Sequence, residues 1–202
     1  MDRPLWRRWT LWTTAGELAG FTAPAVAGAW AVAAPLPPWP TYGLLLAAGF
    51  VEGLMLGTAQ AWALKPALPR LSRPAFALAT GAAAVLAYAV GMLPSTLGDR
   101  LGALPLAVLV GGGLVAGLVL LASIGTAQWL VLRRGRYGGP WWIATTAGAW
   151  LAGLLVFVAV STPLWQPGQP LPQVAAIGLL GGAVMAATVA ALTGLAAVRL
   201  PA

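Results

Sequence analysis

Apolar residues dominate six stretches of the chain, at 9–33, 41–64, 74–93, 105–132, 140–161 and 172–198. Short segments rich in proline, arginine or both separate them. A bilayer core of about 30 Å is crossed by about 20 apolar residues in helical form, so each stretch is expected to be a membrane-spanning helix. Pro74, Pro105, Pro140 and Pro172 open four of them. Proline suits a helix start because the N–H it lacks would be unpaired there. The fourth stretch is long enough to imply tilt or an extension beyond the hydrocarbon.

The connecting segments alternate in charge. Arg3, Arg7 and Arg8 precede the first stretch, Lys65, Arg70 and Arg73 follow the second, Arg133, Arg134 and Arg136 follow the fourth, and Arg199 follows the sixth. The opposite loops hold only Arg100, beside Asp99. Short basic loops stay on the cytoplasmic side, so both ends of the chain and all its basic loops are expected there. In a soluble chain a net charge of +7 would suggest nucleic acid. In short loops between apolar runs it reads as a topology signal, and no nucleic-acid partner is expected.

Tryptophan sharpens the same picture. Trp9, Trp12, Trp62, Trp129, Trp141 and Trp142 lie toward the basic side, with Trp30, Trp39, Tyr42 and Trp165 toward the other. Two such groups are expected to form aromatic belts at the interfaces. Arg7-Arg8 before an apolar run resembles a cleaved leader. The run is too long for one, Glu17 interrupts it, and it matches a later helix, so a retained helix is expected.

That match belongs to an internal repeat. Gly57-Thr-Ala-Gln-Ala-Trp-Ala-Leu-Lys65 realigns on Gly125-Thr-Ala-Gln-Trp-Leu-Val-Leu-Arg133, with Gln60 on Gln128. A basic loop, a proline and a second helix follow each. The first stretch matches the fifth through Trp9-Thr-Leu-Trp-Thr-Thr-Ala-Gly16 and Trp141-Trp-Ile-Ala-Thr-Thr-Ala-Gly148. The expected fold is therefore all-α: one membrane domain over 1–202, a bundle of six transmembrane helices in three parallel two-helix repeats, 9–64, 74–132 and 140–198. Such units are related by an axis along the membrane normal.

The strings Gly125-Thr-Ala-Gln-Trp-Leu-Val-Leu-Arg-Arg134 and Trp141-Trp-Ile-Ala-Thr-Thr146 resemble a pattern in uncharacterised bacterial multi-pass membrane proteins. The resemblance covers mainly the fourth and fifth helices. It implies a bacterial cytoplasmic membrane and no particular activity, and ten arginines to one lysine in an Ala-, Gly- and Pro-rich chain fit a GC-rich bacterial genome.

Candidate chemistry is sparse. With no Cys and no His, thiol nucleophiles, disulfides and Cys- or His-ligated metals are excluded. No Walker loop, metalloprotease or nucleophile–base signature is present, and Gly111-Gly-Gly113 follows no strand. No catalytic residue, cofactor or metal site is expected, and the chain reads as no enzyme. Glu17 and Glu52 are the only ionisable residues within the apolar stretches, each in the middle third of its helix. An intramembrane carboxylate is costly and marks a functional site by default. In the repeat Glu17 aligns with Ala83 and Ala149, and Glu52 with Leu120, so only the first unit carries acids. Gln60 and Gln128 are weaker candidates, as vestibule lining or as interhelical bridges. Arg133, Arg134 and Arg136 could hold anionic lipid headgroups. Gly49, Gly53 and Gly57, and Gly113 with Gly117, read as helix-packing stripes. Two functions follow: small-solute or ion/proton-linked transport with Glu17 and Glu52 as the site, or a non-catalytic accessory subunit packed on a protein partner in the bilayer.

Overall fold

The computed structural model describes residues 2–200. Among them are seven α-helices and no strand: α1 Arg3–Ala33, α2 Pro38–Leu64, α3 Arg73–Leu97, the short α4 Asp99–Gly102, α5 Leu106–Leu132, α6 Trp141–Leu164 and α7 Leu171–Ala197. Five of these, all except α1 and α4, are long and apolar enough to cross a membrane. The chain is a multi-pass helical membrane protein. Helix α1 is the longest, at 31 residues, but Arg3, Arg7, Arg8, Glu17 and its threonines dilute its apolar character.

Local chemistry sets the helix ends. Asp2 caps α1 through Oδ1, which accepts the Leu5 N–H at 3.1 Å; Asp in this role satisfies an N–H that has no helical partner. With Pro4 in the first turn, this cap starts the helix at Arg3, six residues ahead of the apolar stretch. Pro105 and Pro140 immediately precede α5 and α6, while Pro74 and Pro172 sit in the first turns of α3 and α7. After α5 the chain tightens into a 3-10 turn at Arg133–Gly135 and reverses at Arg136, whose φ is +62°. The Tyr137 N–H then donates back to the Leu132 carbonyl at 3.1 Å, which helps to close the helix end.

Six long helices form a closed ring. Each packs on its neighbours in the order α1, α2, α3, α5, α6, α7, and α7 returns to α1. Glycines set the closest approaches. A Cβ on Gly53 would fall 2.5 Å from the Ala84 methyl on α3, and one on Gly20 would fall 2.9 Å from the Glu52 carbonyl. Backbones that close are reached only across small residues. Gly49 and Gly57 likewise face α3. The second stripe differs from expectation: nothing lies within 4 Å of the Cβ direction of Gly113 or Gly117. They share the face of α5 that carries Leu120 and Ile124, and their Cβ directions meet open space.

Burial is concentrated at the basic end. Buried residues of α5 begin at Ser123 and those of α6 end at Gly153, so the opposite halves of these helices are loosely covered. The basic segments meet at that end: Arg8 Nη2 donates to the Trp62 carbonyl at 3.0 Å, and the Arg70 N–H donates to the Tyr137 hydroxyl at 3.0 Å.

Candidate functional site

Trp9, Phe76 and Trp142, one near the start of each odd-numbered long helix in chain order, are fully buried at the basic end of the ring. This corrects the belt assignment for two tryptophans. Trp12 and Trp62 are about half exposed, as a belt requires, whereas Trp9 and Trp142 meet edge to face at 5.8 Å inside the bundle. The physical reason is position on the helix face: Trp9 points inward, while Trp12 lies three residues on, at the edge of that stripe.

A polar layer lies against this aromatic plug. Gln128 Nε2 donates to Gln60 Oε1 at 2.7 Å and reaches Thr80 Oγ1 at 3.2 Å. Gln128 Oε1 accepts the indole N–H of Trp142 at 3.1 Å. The Trp9 indole donates to Thr193 Oγ1 at 2.9 Å. Both glutamines are buried, and these bonds join α2, α3, α5 and α6, with α1 tied to α7. Gln60 and Gln128 are thus interhelical bridges, and neither lines the cavity.

Glu17 lies eight residues beyond Trp9, about 12 Å along the axis. Ala84 lies eight beyond Phe76, and Trp150 eight beyond Trp142. All three line one cavity of about 430 Å³ inside the ring. Another turn along, Phe21, Tyr88 and Leu154 line it as well. On the other three helices, Glu52, Leu120 and Met185 stand eight residues before Gln60, Gln128 and Thr193, and they also face the cavity. This register pairs Glu17 with Ala84 and Trp150, one residue on from the string alignment. All six long helices contribute to the wall.

The two acids therefore share one chamber. Glu17 is 5% exposed and Glu52 8%. Gly16 and Gly20 bring α1 down onto α2 on either side of Glu17, with Gly20 seated on the Glu52 backbone. The Tyr88 hydroxyl donates to Glu52 Oε2. Glu17 Oε2 is buried without any hydrogen-bond partner. Among the described residues no lysine or arginine lines the chamber, whose remaining wall is apolar and aromatic. A charged carboxylate left bare in such a medium costs several kcal/mol, on the order of 3 by insertion scales. Glu17 thus retains an unmet capacity to bind a proton, a donor or a cation.

Tyr88 was not legible as a partner from the strings alone. A signal existed: it holds the same place relative to Phe76 as Phe21 holds to Trp9. Arg133, Arg134 and Arg136 lie far from the cavity, exposed beyond the basic end, with the Arg133 guanidinium 5.1 Å from the Trp129 ring centre. No three Asp, Glu, His or Cys residues among those described are grouped as a metal site. Compared with family models, curated proteins and solved structures, the chain matches none.

Proposed function

We propose that this chain is a six-span membrane protein, three like hairpins in a ring, that carries a small solute through the ring's interior with Glu17 and Glu52 as a proton-linked site. One observation carries the reading: the two intramembrane acids face a single cavity walled by all six long helices. Packing alone would have filled that volume, since interiors are close-packed. The sixth span is α1, whose place between α2 and α7 supports a full crossing. The equal eight-residue spacings on alternate helices support the threefold repeat. The basic end faces the cytoplasm of a bacterium, by the arginine asymmetry, and Arg133, Arg134 and Arg136 stand where phosphate headgroups would meet them.

A carboxyl that alternates between a proton and a solute couples their movements, provided the chamber opens to each side in turn. The structure has its plug on the basic side, at Trp9, Phe76 and Trp142. Leu120→Cys tests the reading, because the native chain has no cysteine. A membrane-impermeant thiol reagent should label it in both right-side-out and inside-out vesicles, more slowly from the basic side. Labelling from neither side sinks the transport reading. It would favour the accessory-subunit reading.

A further inference from the structure

We infer that the chamber's ligand is a hydrophobic organic monocation, an aromatic or alkyl-substituted ammonium or phosphonium, held electrostatically by Glu17 and Glu52 and packed on Phe21, Tyr88, Trp150 and Phe157. This deepens the proposed function and rests on its reading of the chamber as a solute site. The argument is one of matched chemistry. Two carboxyl groups with no basic neighbour select positive charge, and a buried cation needs such a counter-charge. Glu17 Oε2 is buried, lines the cavity and has no partner, so one strong acceptor site is vacant.

Inorganic ions fit poorly. Calcium takes 6–8 oxygen ligands and magnesium a regular octahedron. Among the described residues, the side-chain oxygens facing this chamber belong to Glu17, Glu52 and Tyr88 alone, five atoms at most. A hydrated ion would meet a wall of leucine, methionine and aromatic rings. Aromatic faces do attract a cation whose charge is spread over carbon groups, at distances within about 6 Å. The volume sets the size. A cavity of about 430 Å³ falls in the usual range for small-molecule sites, about 300–1,000 Å³. It is far larger than one carboxyl-bound water requires.

The test uses tetraphenylphosphonium, with tetraphenylborate as a probe of the same shape and opposite charge. Equilibrium dialysis against the purified, detergent-solubilised full chain reads binding. The expected result is saturable binding of the cation and none of the borate. Glu17→Gln and Glu52→Gln keep size and hydrogen bonding, and each should weaken cation binding tenfold or more. Trp150→Ala should weaken it several-fold, and Leu118→Ala on the outer face of α5 should change nothing. Monodisperse elution on size-exclusion chromatography verifies each variant. Because a carboxyl variant could still disturb the fold, a second reading uses Leu120→Cys with both acids intact. Tetraphenylphosphonium should slow its labelling tenfold, and tetraphenylborate should not. Equal binding of both ions, or unchanged binding in both Gln variants, overturns the inference. Labelling of Leu120→Cys that no cation slows overturns the ligand class while leaving the chamber's role as a solute site standing. Absence of labelling overturns both.

Discussion

Gln128 on α5 donates its side-chain amide to Gln60 on α2 at 2.7 Å, across the interior of the ring and 68 residues back along the chain. The pair shows how the two similar strings are used. The same residue at the same depth on two helices becomes donor on one and acceptor on the other. Gln128 has three protein partners in Gln60, Thr80 and Trp142, whereas Gln60 has one.

That inequality predicts unequal costs. Interhelical hydrogen bonds in membranes average about 0.6 kcal/mol each. Gln128→Ala should therefore destabilise the protein by about 2 kcal/mol, and Gln60→Ala by about 1 kcal/mol or less. Unfolding equilibria in mixed micelles measure both. Equal losses would show that the network has a different centre.

Glycine substitutions should separate close helix packing from open space. Gly53→Ala places a methyl group 2.5 Å from the Ala84 methyl, and overpacking of this kind costs about 1–3 kcal/mol. Gly117→Ala meets nothing within 4 Å, and substitutions at open sites stay within about 0.5 kcal/mol. A large loss at Gly117 would show that the space beside it is filled in the folded protein.

Topology has its own check. Arg134 is exposed at the basic end and Gln166 at the other. Impermeant maleimide added to intact cells should label Gln166→Cys and spare Arg134→Cys, with the reverse in inside-out vesicles. Labelling of Arg134→Cys from outside would invert the assignment.

Much of this fold is written in the chain's periodicity. Apolar runs between arginine-bearing loops mark the long helices, because a bilayer demands both features. The acids stand out because no other charged side chain shares the apolar stretches. What periodicity cannot supply is the facing of each helix when nearly every position is apolar. Trp9 and Trp12 look alike in sequence, yet only the first is an interior plug. Gly53 and Gly117 look alike too, yet only the first touches another helix. For the tryptophans the deciding quantity is the rotation of the helix, and for the glycines the distance to the next helix. The Tyr88–Glu52 bond escaped for the same reason. The residues that line the chamber stand one position on from the string alignment of α1 with α6, and alanine-rich helices carry few landmarks to fix such a register.

The central claim is that Glu17 and Glu52 face a chamber a ligand can enter, and a hydrophobic carbodiimide tests this on the native sequence. The chain has only four acidic side chains, Asp2, Glu17, Glu52 and Asp99, so peptide mass spectrometry can assign every adduct. In membranes, dicyclohexylcarbodiimide should form an N-acylurea on Glu17, whose Oε2 is unpartnered, ahead of Glu52, which Tyr88 holds. Tyr88→Phe should bring Glu52 up to a comparable rate. Adducts on neither glutamate in the folded protein, with both appearing once it is unfolded, would mean sealed, dry packing and would contradict the account.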